Sequence, residues 1–278
     1  MRLEYTGEQL MDVAQSLRKD VIAALYAAGS GHPGGSLSIA EIMSVLYFRV
    51  MDVDPQNPDW EDRDRFVLSK GHAAPCYYAA LSKRGFFNHE LLKTLRKADS
   101  FLQGHPDRKH TPGVDMSTGS LGQGISAACG MALYGKKKNR PFHVYCVVGD
   151  GEMQEGQVWE ALMSAAHFKL DNLTVILDNN NLQIDGPVDR IMNIYPIKEK
   201  VEAFGWTVLE SDGHNVDLLT ERLSKENTIP GKPTFLICHT VKGKGISYME
   251  NQVAWHGAPI SEHQYLQAMD ELQVRKGC

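Results

Sequence analysis

Hydrophobic and polar positions follow two rhythms along the chain. From Glu8 to Ala28, Leu10, Val13, Leu17 and Leu25 recur at helical spacing among several alanines, which predicts an amphipathic helix. Gly29-Ser30-Gly31 supplies a stop signal after it. Gly31-His32-Pro33-Gly34-Gly35 then reads as a glycine-rich loop, with Ser38 capping a second helix that runs through Met51. The second rhythm is that of short buried strands: Asp64–Leu68 (DRFVL), His143–Val148 (HVYCVV), Leu173–Leu177, 206–210 and 233–239 (PTFLICH). Helical patterns separate them: one ending near Arg84, then Ile125–Leu133, Glu155–Phe168, 215–225, and a last one from about Ser261. Residues 99–124 keep no period and hold seven glycines and prolines, as functional loops do.

Strands that alternate with helices predict an α/β fold, a parallel sheet with helices on both faces. Ligands of such sheets gather outside the carboxyl ends of the strands. Each unusual loop here follows a predicted strand: Ser69–His72, Gly149–Gly151, Asp178–Asn181 and His239–Gly245. A parallel sheet brings all of them to one edge.

Composition narrows the partners. The 278 residues are 42% hydrophobic and 23% charged with a net charge of −5, which gives no reason to expect nucleic acid. No stretch of about 18 apolar residues occurs, so no membrane span is expected. The N-terminus, MRLEYTGEQLMD, has no apolar signal core. Cys76, Cys129, Cys146, Cys238 and Cys278 form no C-x-x-C pair, and four of them have apolar or small neighbours. An odd, scattered set fits a reducing compartment, and cytoplasm is the expected location.

The most informative stretch is Gly149-Asp150-Gly151, followed about thirty residues later by Asn179-Asn180-Asn181. The glycines permit a sharp turn and close approach to an anion. Asp150 offers a carboxylate oxygen and Asn180 an amide oxygen, hard ligands of the kind Mg²⁺ takes alongside phosphate and water. The helix from Glu155 turns its positive end toward the same edge. One helix and one strand fit between the two loops, so they can be neighbours. The plain alternative is a turn and a polar loop.

The segment VVGDGEMQEGQVWEALMSAAHFKLDNLTVILDNNNLQIDG resembles the cofactor fingerprint of thiamine diphosphate enzymes, and its full wording is similar to transketolases. The resemblance implies a thiamine diphosphate-binding fold with Mg²⁺ held by Asp150, Asn180 and the backbone carbonyl of Leu182. It implies that Gly151 and Asn180 also touch the diphosphate, and that Glu155 links two active sites across a dimer. A glutamate favoured in a first helical turn explains Glu155 equally well.

Eleven histidines are present, four of them in loops of small residues: His32 (GHPGG), His72 (SKGHA), His105 (QGHPD) and His256 (AWHGAP). Transketolases carry histidines in these four contexts. Ketol transfer needs a hydroxyl proton removed and an alkoxide stabilised, work suited to imidazole at neutral pH. The resemblance implies that His32 and His105 face the sugar hydroxyls, that His72 lies on the cofactor side, and that His256 bridges diphosphate and substrate. The other seven, His89, His110, His143, His167, His214, His239 and His263, read as structural or exposed. Gly119-Ser120-Leu121 resembles the loop that touches the aminopyrimidine and thiazolium, with Ser120 where many relatives have proline. Val241-Lys242-Gly243-Lys244-Gly245 resembles a loop flanking the cofactor channel; it either attracts phosphate or is simply solvated.

The resemblance covers nearly the whole chain but only the first domain of an ordinary transketolase. It implies that residues 1–278 form a single thiamine diphosphate-binding domain. The pyrimidine-binding and C-terminal domains, with their ring-polarising glutamate and phosphate-gripping arginines, are then expected on a partner chain. The expected assembly is a heterotetramer acting on sugar phosphates, either in the pentose phosphate pathway or on an unusual sugar phosphate or sulfo-sugar. Alternatives are another thiamine diphosphate enzyme, resembling deoxyxylulose phosphate synthase or a 2-oxo acid dehydrogenase subunit, or a non-catalytic module that kept the fold. The four histidine loops favour transketolase over the former. Intact Asp150 and Asn180 oppose the latter.

Overall fold

A computed structural model describes residues 2–273. Cys278 lies outside the described residues, and the other four cysteines are free and buried.

Helix α1 (Gly7–Ala28) begins with a capping box between Thr6 and Gln9 and ends at Gly29 in the left-handed conformation (φ 64°). Its Leu10, Val13, Leu17 and Leu25 are buried, as their spacing predicts. The GHPGG segment departs from expectation. It is helical from Pro33, forming α2 (Pro33–Leu37), because proline at the first helical position has its φ preset and needs no N–H partner. Ser38 therefore closes α2 through its N–H on the Gly34 carbonyl instead of opening a helix. The expected second helix is divided into α3 (Ala40–Val45) and a π-helical turn, Leu46–Val50.

Strand β1 (Arg65–Leu68) leads through Gly71–Ala73 into α4 (Ala74–Arg84). After the irregular stretch come α5 (Gln123–Lys137), β2 (Val144–Gly149), α6 (Gly156–His167) and β3 (Leu173–Asn179). A small hairpin not foreseen from the sequence follows, β4 (Leu182–Gln183) with β5 (Gly186–Pro187). The chain continues through α7 (Val188–Ile191), α8 (Ile197–Ala203), β6 (Thr207–Asp212), α9 (Val216–Arg222), β7 (Thr234–His239) and α10 (Glu262–Glu271).

Five strands pair in the order β1-β2-β3-β7-β6, every pair parallel. Alternate side chains serve two separate cores. Tyr145 and Val147 join the layer that contains α1, α3 and α4, whereas Val144, Cys146 and Val148 join the layer of α5 and α6. Both faces are thus covered, which is why these strands read as continuous apolar runs. The register sets Gly149 level with Asp178, Asp178 with Cys238, and Asn179 with His239. The strand ends, and the loops that leave them, therefore share one edge.

Candidate functional site

Asp150 follows β2 at that edge. It is 2% exposed, and its carboxylate accepts the Gly151 N–H at 2.7 Å and the Asn181 N–H. The two predicted loops are thus neighbours, joined by the aspartate itself. Neither Gly149 nor Gly151 adopts a positive φ, so the expected sharp turn is not what requires glycine here. Close packing is: a Cβ on Gly151 would lie 2.7 Å from the Gln183 side chain.

Burial, reinforced by the Asp178 carboxylate, pushes Asp150 up to about 7. Among the described residues no cationic side chain hydrogen-bonds to it. A cation beside Asp150 would supply the missing charge. Asn180 Oδ1 accepts the Leu182 N–H at 3.1 Å, and the Leu182 carbonyl accepts from Lys242 Nζ at 3.0 Å. No group of three His, Cys, Asp or Glu suited to a metal occurs among the described residues. The donors at hand are one carboxylate, one amide and one carbonyl oxygen, a set that fits Mg²⁺ completed by phosphate and water.

The four histidines singled out above converge. The ring of His32 lies 5.4 Å from that of His72, 6.3 Å from His105 and 5.6 Å from His256. His72 stacks on His256 at 5.1 Å. Burial and nearby cations keep all four neutral. Burial first, then Arg96, lowers His32 to about 4 and also lowers His105. Burial followed by Lys242 takes His256 to about 3, and burial followed by Lys70 holds His72 well below its ordinary value. His32 Nδ1 is buried and has no hydrogen-bond partner among the described residues, a group left for a bound molecule to satisfy. His105 is held by Tyr78, whose hydroxyl donates to its carbonyl at 2.9 Å.

Gly119 backs directly onto His105: its φ is +132°, and a Cβ there would lie 2.8 Å from the imidazole. Ser120 is exposed and Leu121 half-buried on the same loop. Glu155 is exposed as the residue preceding α6, and its side chain makes no capping bond. Among the remaining histidines, His143 is buried, His214 bridges Glu41 and the Val241 N–H, and His239 pairs with Glu210 at 3.1 Å. None of these three joins the cluster of rings.

Four residues matter here beyond what the sequence reading assigned. Lys242 is buried, not solvated, and its Nζ also donates to His256 Nδ1 at 2.9 Å. Burial, then repulsion from Lys70, lowers it to about 8. Its glycine-flanked loop was the available signal. Lys70, 2% exposed, donates to the Gly35 carbonyl at 2.8 Å and pairs with Asp178. Burial alone would raise Asp178, but the Lys70 ammonium and the Thr240 and Ser38 hydroxyls hold it below the usual range. Glu152 accepts from Ser69 Oγ (2.5 Å), Gly122 N (2.9 Å) and Gly149 N (3.0 Å), so one buried carboxylate ties three of the glycine loops together. The sequence places Asp178 at the start of a loop that follows a strand but assigns no role to it or to Glu152.

An all-parallel sheet with oxygen donors at its carboxyl edge, linked through Lys242 to a cluster of neutral histidines, defines an α/β domain of the thiamine diphosphate-binding class. Comparison with known proteins makes this specific. The chain belongs to the family described as transketolase, thiamine diphosphate binding domain, whose profile matches residues 9–275. It is 45% identical over 270 residues to the 6-deoxy-6-sulfo-D-fructose transketolase subunit SqwG of a Clostridium species, covering 96% of this chain and 98% of that one. It is 40% identical over 259 residues to one of the subunits of the apulose-4-phosphate transketolase of Phocaeicola vulgatus, covering 93% of this chain and 92% of that one. Identity to human transketolase is 46% over 268 residues, 95% of this chain but 42% of that protein. The solved transketolase of Leishmania mexicana superposes with a TM-score of 0.90 at 34% identity, over 97% of this chain and 42% of the other. The chain thus spans less than half the length of the human and Leishmania transketolases.

Proposed function

We propose that this chain is the diphosphate-binding subunit of a two-chain, Mg²⁺-dependent transketolase, moving a two-carbon ketol unit from a ketose to an aldose. The observation that carries this is the convergence of His32, His72, His105 and His256 beside the Asp150–Asn180 cradle. Relatives named as transketolase subunits, matched over nearly their whole lengths, support the division into two chains.

On this reading residues 1–278 form one domain and the partner chain supplies the pyrimidine-binding and C-terminal domains. Asp150, Asn180 and the Leu182 carbonyl hold Mg²⁺, while Gly151, Asn180 and Lys242 meet the diphosphate. Gly119, Ser120 and Leu121 line the path of the rings. Thiamine diphosphate, when bound, supplies the carbanion chemistry that the protein's own side chains lack. The chain's part is to orient and to move protons. Neutral His32 and His105 can each take a proton from a sugar hydroxyl at neutral pH and donate to developing oxyanions. His256, with Nδ1 occupied by Lys242, presents its other nitrogen toward substrate. Glu155, exposed where α6 begins, reaches toward a second copy of the site across a heterotetramer. The substrates are sugar phosphates or their sulfonated counterparts, and the enzyme works in the cytoplasm.

The test is to assay ketol transfer with the chain alone and then with a chain resembling the remaining transketolase domains. Background rates alone and Mg²⁺-dependent turnover for the pair are expected. Full activity without any partner would remove the two-chain reading.

A further inference from the structure

Asp178 is the penultimate residue of β3 and is fully buried. Its two oxygens collect donors from four separate segments: Ser38 Oγ at 2.7 Å, Asn180 Nδ2 at 3.1 Å, Lys70 Nζ and Thr240 Oγ1. All four donors belong to the chain itself. We propose that Asp178 is the positioning residue that fixes which end of the Asn180 amide faces the metal.

The reason is the difference between an amide and a carboxylate. Asn180 carries an oxygen acceptor at one end and an NH₂ donor at the other, and the two ends have nearly the same shape. Rotation by half a turn would exchange them and present N–H groups to a cation. An ionised carboxylate is an acceptor only, so just the NH₂ end of Asn180 can lie against Asp178. The Lys70 ammonium keeps that carboxylate charged. With Nδ2 anchored at 3.1 Å, Oδ1 is turned the opposite way, where the Leu182 N–H meets it at 3.1 Å. Both are on the loop that Asp150 grips through Asn181. Groups behind a ligand that set its orientation typically contribute about 10–100-fold to metal affinity.

Asp178→Asn keeps size and removes the restriction, because an asparagine there can donate to Asn180 Oδ1 as well as accept from Nδ2. The inference rests on the reading that Asn180 is a Mg²⁺ ligand. The experiment is calorimetric titration of Mg²⁺ into the chain assembled with its partner at saturating thiamine diphosphate, with thermal melts in parallel. Asp178→Asn is expected to weaken Mg²⁺ about 10–100-fold. Ser38→Ala and Thr240→Val each delete a donor to Asp178 but leave the Asn180 contact, and should change Mg²⁺ affinity by less than about threefold, whatever their melting temperatures. Should Asp178→Asn alone fail to fold with Lys70 unpaired, the Lys70→Met/Asp178→Asn double variant restores charge balance and carries the same expectation. Wild-type affinity in the folded variant would overturn the assignment. So would an equal loss in all three single variants, since that marks general packing. A wild-type assembly that binds no Mg²⁺ would instead sink the function proposed above, and this assignment with it.

Discussion

Replacing Glu41 by Gln should remove about 3 kcal/mol of stability at pH 7, and the loss should shrink in acid. Glu41 and Arg18 form an ion pair of 2.6 Å with side chains 2% and 4% exposed. Arg18 also reaches the Leu37 carbonyl at 3.3 Å, and His214 Nδ1 lies 3.0 Å from the same glutamate oxygen. Removing one partner of a buried pair strands the other charge and costs about 3–5 kcal/mol. The depressed pKa of the carboxyl leads to a similar magnitude. Burial alone would raise Glu41, but Arg18 and the His214 hydrogen bond more than offset it and take the carboxyl from 4.5 to about 2. A depression of about 2.5 pH units is worth about 3.4 kcal/mol. Because the folded value is the lower one, this contribution is complete above pH 4.5 and fades as pH falls toward 2. At pH 4 the native protein has given up about 0.8 kcal/mol of it, whereas the variant has none to lose. Urea unfolding at pH 7 and pH 4, followed by circular dichroism, should therefore show the gap closing from about 3.4 to about 2.6 kcal/mol. A cost below about 1 kcal/mol at pH 7, or a gap that widens in acid, would refute the reasoning. The network also reaches the site, since His214 Nε2 accepts the Val241 N–H at 2.9 Å, one residue before Lys242.

His143 makes the opposite use of burial: burial, then Lys225, lowers it from 6.5 to about 3, so it stays neutral when folded. The unfolded chain takes the proton first, and stability falls as pH drops below 6.5, by about 1.4 kcal/mol at pH 5.5 from this group. In His143→Gln, the difference between urea curves at pH 7.5 and 5.5 should shrink by about that amount; an unchanged difference would count against it. Gly119→Ala forces a Cβ toward the His105 ring at a φ of +132°. It should cost about 1–3 kcal/mol and reduce kcat/KM of the assembled enzyme about 10–100-fold. Native kinetics would mean that His105 does not need its present position.

The fold was legible where the period was strong. Leu10, Val13, Leu17 and Leu25 announce α1, and HVYCVV announces a strand covered on both faces. Where one residue carries two meanings, sequence pattern and structure part: Pro33 among glycines reads as a loop yet opens α2, and Ser38 reads as a cap yet closes it. The site's outer parts were legible because loops of glycine, histidine and asparagine are unusual in themselves. Its supports were not. Glu152 resembles any glutamate in a first turn, and its donors Ser69 and Gly122 lie 83 and 30 residues away. Asp178 is the penultimate residue of a strand, and its partner Ser38 is 140 positions earlier. Only folding brings such groups together, so no local pattern can mark them.

Those supports also explain how charge is sorted in the site. Lys70 is paired with Asp178 and Lys242 leans on the Leu182 carbonyl, so two ammonium groups stand on the side of Asp150 and the asparagines. Their field bears on His72 and His256, and together with burial it keeps these rings unprotonated. An anion bound there meets fixed positive charge, while a sugar hydroxyl meets neutral imidazoles able to accept its proton. Had the histidines carried the charge, they would hold phosphate but could not act as bases. On the proposed reading the two jobs, gripping a diphosphate and moving a hydroxyl proton, are separated by placing lysines at the cradle and histidines above it. Ser69 and Lys70, adjacent in sequence, bind Glu152 and Asp178 respectively, so one short loop joins the two carboxylates that hold this arrangement in place.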